Sequence, residues 1–193
     1  MSDLIRRVAF IGKSAENLAS ALQMANTPLE ESDVAIFIVS ASDGIVRGDS
    51  DLWSIARELY IPSIVVITEL NPNVELDFED MSAIAGRILD PVTTPYLVLH
   101  DESSAPVALI ELESLKIRDY SSGSLEIRDA DPEHVELVSE FAEERSEQLE
   151  DAGIGGFENG LLYPALPWVP QNRMGEAEIK SYIELVDVVP SAS

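Results

Sequence analysis

The chain has no cysteine, three lysines and two histidines. Without cysteine there is no disulfide framework, no thiolate zinc site and no cysteine nucleophile. Lysine occurs only as Lys13, Lys116 and Lys180, and with nine arginines it stands against 36 acidic residues, a formal net charge of −24. So few scattered cations cannot neutralise a row of phosphates, which argues against direct nucleic-acid binding and against docking on an anionic membrane. No apolar run approaches the roughly 18 residues of a membrane span. The segment Met1-Ser-Asp-Leu-Ile-Arg-Arg lacks the charged and apolar regions of a signal peptide, so a soluble, cytoplasmic protein is expected.

What is present is enough for a folded core. The length of 193 residues suits one domain with an insertion, at roughly 100 to 200 residues per domain. Hydrophobic residues make up 46% and charged residues 25%, which separates the chain from disordered acidic sequences.

The first half alternates short apolar runs with helical periodicity, the pattern of βαβ units on a mainly parallel sheet. Strands are expected over 7–11, 34–39 and 63–67. Helices are expected over 15–25, from a cap at Asp49 or Ser50 with Leu52, Ile55, Ala56 and Leu59 buried, and over 78–89 from a cap at Asp77 with Met81, Ile84, Ala85 and Ile88 buried. After Asp90-Pro91, extended segments follow one another without helices: 96–99, 107–111, 115–120 and 124–128 read as antiparallel strands. Asp131-Pro132 then opens a helix that Gly153 ends. From Glu126 to Asp151 there are 11 acidic residues against Arg128 and Arg145, read either as a solvated face or as a docking surface for a basic partner. Gly155 to Pro170 reads as a loop anchored by Tyr163 and Trp168, followed by a short helix over 175–182 and a last strand over 185–189.

Within this pattern, Asp33-Val-Ala-Ile-Phe-Ile-Val-Ser-Ala-Ser-Asp-Gly-Ile-Val, the Trp53 helix and Ile61-Pro-Ser-Ile-Val-Val-Ile resemble, in order and spacing, the GTP-binding domain of the translational GTPases. The similarity is greatest to elongation factor G. Pro106 to Tyr120 and the acidic helix after it resemble the subdomain inserted there, and Val188-Val-Pro-Ser191-Ala192 resembles the strand and Ser-Ala motif that closes the guanine pocket. The resemblance implies an α/β, three-layer, P-loop GTPase-like fold with a mainly parallel sheet and an α+β insertion. It divides the chain into a core over 1–92, an inserted subdomain over 93–153 and a return to the core over 154–193. It also implies nucleotide-site positions at Gly12, Lys13, Ser14, Thr68, Glu69, Asn71, Ser191 and Ala192, and a ribosomal stalk contact through the insertion.

Departures from the family are concentrated in that nucleotide site. A phosphate-binding loop needs G-x-x-x-x-G-K-[ST], and only Gly12-Lys13-Ser14 is present, with Arg7 where the first glycine belongs. Only the 21 residues from Lys13 to Asp33 separate that remnant from the next strand, too few for the switch loops and the D-x-x-G motif. Asn26-Thr-Pro-Leu stands as a relic of the latter. Thr68-Glu69-Leu70-Asn71 replaces Asn-Lys-x-Asp, reversing charge and exchanging an acceptor for an amide. Phosphoryl transfer is nearly all positioning and electrostatics, so loss of GTP binding and hydrolysis is expected, with no catalytic residue, metal or cofactor and a protein partner, basic or ribosome-associated. The chain ends at Ser193 without the family's later domains, which argues against a direct translocation role.

Three alternatives remain open at this point. One is a GTPase, with GTP or GDP and magnesium, whose phosphate loop is rebuilt around Lys13, Ser14 and Asp43. Another is a ligand loop at Asp43-Gly44, at the carboxyl end of a central strand where open α/β sheets bind ligands. The third is sequestration of a basic partner by the acidic helix. His100-Asp101 is read as structural, not metal-binding.

Overall fold

A computed structural model describes residues 6–187. Among these residues five parallel strands form the main sheet in the order β1-β2-β3-β9-β4: β1 (Val8–Gly12), β2 (Val34–Ser40), β3 (Ser63–Thr68), β9 (Tyr163–Pro167) and β4 (Val92–Thr93). Every residue of β2 and β3 is buried, so both faces of this sheet are covered, as continuous apolar runs in parallel strands require. Helices α1 (Ala15–Leu22), α2 (Arg47–Glu58) and α3 (Phe78–Ile88) connect the first strands, and α5 (Glu176–Leu185) packs beside α1. Trp53 of α2 meets Phe37 and Tyr163 edge to face, at ring separations of 4.9 and 5.0 Å. The Arg7 side chain holds the Asp33 carboxylate across the start of β1 and β2.

The second sheet is antiparallel, in the order β5-β6-β7-β8: β5 (Tyr96–His100), β6 (Pro106–Glu111), β7 (Lys116–Asp119) and β8 (Glu126–Asp129). Alternation divides its side chains between two cores. Tyr96, Val98 and Leu109, with Tyr120 just beyond β7, join the main core. Leu97, Ala108, Ile110 and Ile117 pack with Val138 of α4 (Pro132–Ala152). Asp131 caps α4 by accepting from His134 N, and Gly153 ends it.

The expected mixed α/β architecture is present, and several details are corrected. The segment read as a loop contains β9, inserted between β3 and β4. Pro164 and Pro167 disguised it, because proline cannot donate to a ladder; here β9 is bordered by the two-residue β4, itself unexpected, and its register with β3 ends at Pro167. The expected last strand is overturned at its start, since Leu185 is the final residue of α5; residues 188 to 193 lie outside the described residues. Helix α2 begins at Arg47 with no side-chain cap, and it turns Trp53 and Ala56 inward while Ile55 and Leu59 are exposed. In α3, Ile88 is exposed and Phe78 takes a buried place. Helix α1 stops at Leu22, where Gln23 adopts a left-handed conformation.

The early end of α1 frees Asn26 for another use. Strand β1 lies at the sheet edge, and the Asn26 carboxamide accepts from Phe10 N at 2.8 Å and donates to Phe10 O at 3.2 Å, as a neighbouring strand would. Thr27 N adds a bond to Val8 O at 2.9 Å. The segment resembling a D-x-x-G relic therefore seals an edge whose unpaired groups would otherwise template association.

Candidate functional site

Strands β1, β2, β3 and β9 run parallel, so their carboxyl ends lie along one rim, where open α/β sheets place ligands. At that rim β1 turns into α1 through only Lys13 and Ser14. Gly12 permits the turn: its φ is +109°, and a Cβ there would sit 2.4 Å from Ile38 O. Ser14, at φ 66°, makes no side-chain capping bond.

Most of the sequence-predicted site residues converge here. Lys13 Nζ pairs with the Asp43 carboxylate and lies 3.2 Å from Glu69 Oε1. Glu69 also accepts from Ser40 Oγ and, at 2.5 Å, from Ser42 Oγ. These two hydroxyls, followed by Lys13, hold the Glu69 carboxyl down at about 2, and its partners Asp43 and Glu69 raise the Lys13 ammonium. Ser40 Oγ receives Ser42 N and Asp43 N, shaping the loop that ends at Gly44, whose φ is +75°. Thr68 is buried at the end of β3, and Asn71 Nδ2 donates to Glu69 O at 3.0 Å. The Asp49 carboxylate approaches Gly12, and burial raises its pKa. One cation thus faces Asp43 and Glu69 with Asp49 close by, and the corner is acidic.

Beside the corner opens a cleft of about 510 Å³, lined among others by Ser14, Asn17, Thr68, Glu69, Asn71 and Trp168. Its far wall follows β9, where Trp168 N donates to Ile67 O at 2.8 Å. The buried Trp168 Nε1 has no hydrogen-bond partner among the described residues. Gly175 allows this wall to fold back, since a Cβ there would lie 1.8 Å from Pro167 O. The sequence reading missed Ser40 and Ser42 as donors and the Trp168 wall. The hydroxyls gave no signal beyond a strand-end serine loop, and the wall was hidden with β9. Ser191 and Ala192, expected to close the pocket, lie outside the described residues.

The histidines stand apart from this rim, His100 at the exposed end of β5 and His134 in the first turn of α4. Asp101 turns its carboxylate to Ser103 and Ala105. Among the described residues no group of three His, Asp or Glu side chains is arranged to hold a metal, and no helix is long and apolar enough to cross a membrane.

No family model and no curated protein matches the chain. Among solved structures it is similar to a crystal structure of a protein from Thermus thermophilus, with TM-score 0.69 and 24% identity. The match covers 82% of this chain and 27% of that protein, so the chain spans about a quarter of its length. The likeness is one of fold.

Proposed function

We propose that the chain is a shortened G domain of the elongation factor G type, which no longer binds or hydrolyses GTP and serves translation as a protein-interaction or regulatory module. Its parallel sheet is then a P-loop GTPase core, and the antiparallel sheet with α4 is the inserted subdomain. The observation that carries the reading is the two-residue passage from Gly12 to Ala15. A phosphate loop surrounds its ligand with successive backbone N–H groups, and a turn of two residues is too short to wrap around one. Its lysine is already paired with Asp43 and Glu69, so a triphosphate would meet carboxylates.

The interaction surface under this reading is the exposed face of α4. Leu137 and Phe141, 70% and 43% exposed, stand one turn apart among Glu133, Glu136, Glu140 and Glu144. That combination suits a partner with apolar and basic groups, in keeping with the stalk contact that the family resemblance implies.

Calorimetric titration with GDP and with GTP plus magnesium, ATP serving as control, tests the loss of nucleotide binding. No saturable heat is expected at concentrations that detect about 100 μM affinity, roughly −5.5 kcal/mol. Guanine-selective binding would instead overturn the loss of nucleotide binding and favour a rebuilt phosphate loop.

A further inference from the structure

Three side-chain donors from separate segments converge on the carboxylate of Glu69: Lys13 from the β1–α1 turn, Ser40 from the end of β2 and Ser42 from the loop after it. Reaching them requires an unusual backbone. Glu69 has φ 61°, a left-handed conformation that is unfavourable for a residue with a Cβ. Asn71 braces that conformation by donating to Glu69 O. A strained residue whose strain carries its charge onto three convergent donors is behaving as their ligand.

We propose that Lys13, Ser40 and Ser42 form a binding site for a small oxyanion of the size of inorganic phosphate, which the chain fills with its own Glu69 carboxylate. Ammonium and hydroxyl donors recognise such an anion by charge-assisted hydrogen bonds, the interaction they already make with Glu69. Solvent reaches the site, because the Lys13 side chain is half exposed and that of Glu69 about one-third exposed. The adjoining cleft of about 510 Å³ has room for an arriving ion or for the displaced side chain. Asp43 is a second obstacle, since it pairs with the same ammonium.

The proposal deepens the preceding reading and rests on it for the identity of this corner as a former phosphate site, yet the two fail separately. Titration of the wild-type chain with GTP reports on the first. Titration of variants with inorganic phosphate, by calorimetry and by ³¹P line broadening, reports on the second. The wild type should show no saturable phosphate binding, and Glu69→Ala should gain it in the millimolar range. Adding Asp43→Asn should tighten it about tenfold, the order of one unit charge at close range in a wet site. Adding Lys13→Ala to that pair should abolish it. Thermal melts establish that each variant is folded, and Glu69→Gly, which relieves the left-handed strain, provides a second opening variant. Phosphate binding by the wild type would overturn the proposal. So would folded Glu69→Ala/Asp43→Asn and Glu69→Gly/Asp43→Asn variants that stay silent, or binding that survives Lys13→Ala.

Discussion

The polar corner at the rim of the parallel sheet and the seam joining the two sheets are made from the same groups in different surroundings. At the rim, the Lys13 and Asp43 side chains are each about half exposed. At the seam, Glu178 of α5 is fully buried and accepts from Arg118 Nε and from Tyr120 Oη at 2.7 and 2.8 Å, while Arg145 of α4 donates to Thr93 Oγ1 at 2.7 Å and Tyr182 Oη at 3.2 Å. Water at the rim competes for every charge and screens it, so those pairs contribute little stability and their partners can exchange. Burial at the seam makes each group depend on its partner, because an abandoned charge has nowhere to go. The seam therefore fixes how the antiparallel unit sits on the core, and the rim is where chemistry can still change.

Glu178→Ala is the strongest way to break this contrast. It leaves the mostly buried Arg118 guanidinium and the buried Tyr120 hydroxyl without their acceptor, and about 3 kcal/mol of stability should be lost. Denaturant unfolding measures it; a loss below about 1 kcal/mol would show that the seam is as forgiving as the rim. A smaller effect is expected at the edge of the sheet. Asn26→Ala removes two hydrogen bonds to Phe10, and since water reaches the vacated edge the cost should be about 1 to 2 kcal/mol. The opened edge should also raise self-association, read by light scattering against concentration.

The parts of the fold legible in the sequence were those with a local cause. The apolar runs of β2 and β3, the alternation in β5 to β8, and the Asp77 and Asp131 caps all announce themselves within a few residues. Strand β9 did not, because its two prolines argue against a central strand and only its place between β3 and the short β4 makes them tolerable. The buried stripe of α2 was misread since Ile55 and Leu59 are as apolar as core residues, and only the aromatic contacts of Trp53 decide which face turns inward. At the site, Lys13, Asp43, Glu69 and Asn71 were each identifiable. Their mutual pairing was not, because it joins residues 56 positions apart through a left-handed backbone at Glu69 that no local motif predicts.

The smallest predicted effect tests the rim directly through pH. The Glu69 carboxyl is held at about 2 against an ordinary 4.5, so the folded state favours its ionised form more than the unfolded chain does. That contribution is complete above about pH 4.5 and is lost as pH falls toward 2, where the folded carboxylate also gains its proton. Solvent screening keeps it under about 1 kcal/mol. In denaturant titrations at about pH 5 and about pH 3, the wild type should lose more stability than Glu69→Gln, which has no proton to take up at that position. Equal losses would mean that Ser40, Ser42 and Lys13 do not hold the carboxylate, and the pairing at the rim would then be confined to Lys13 and Asp43.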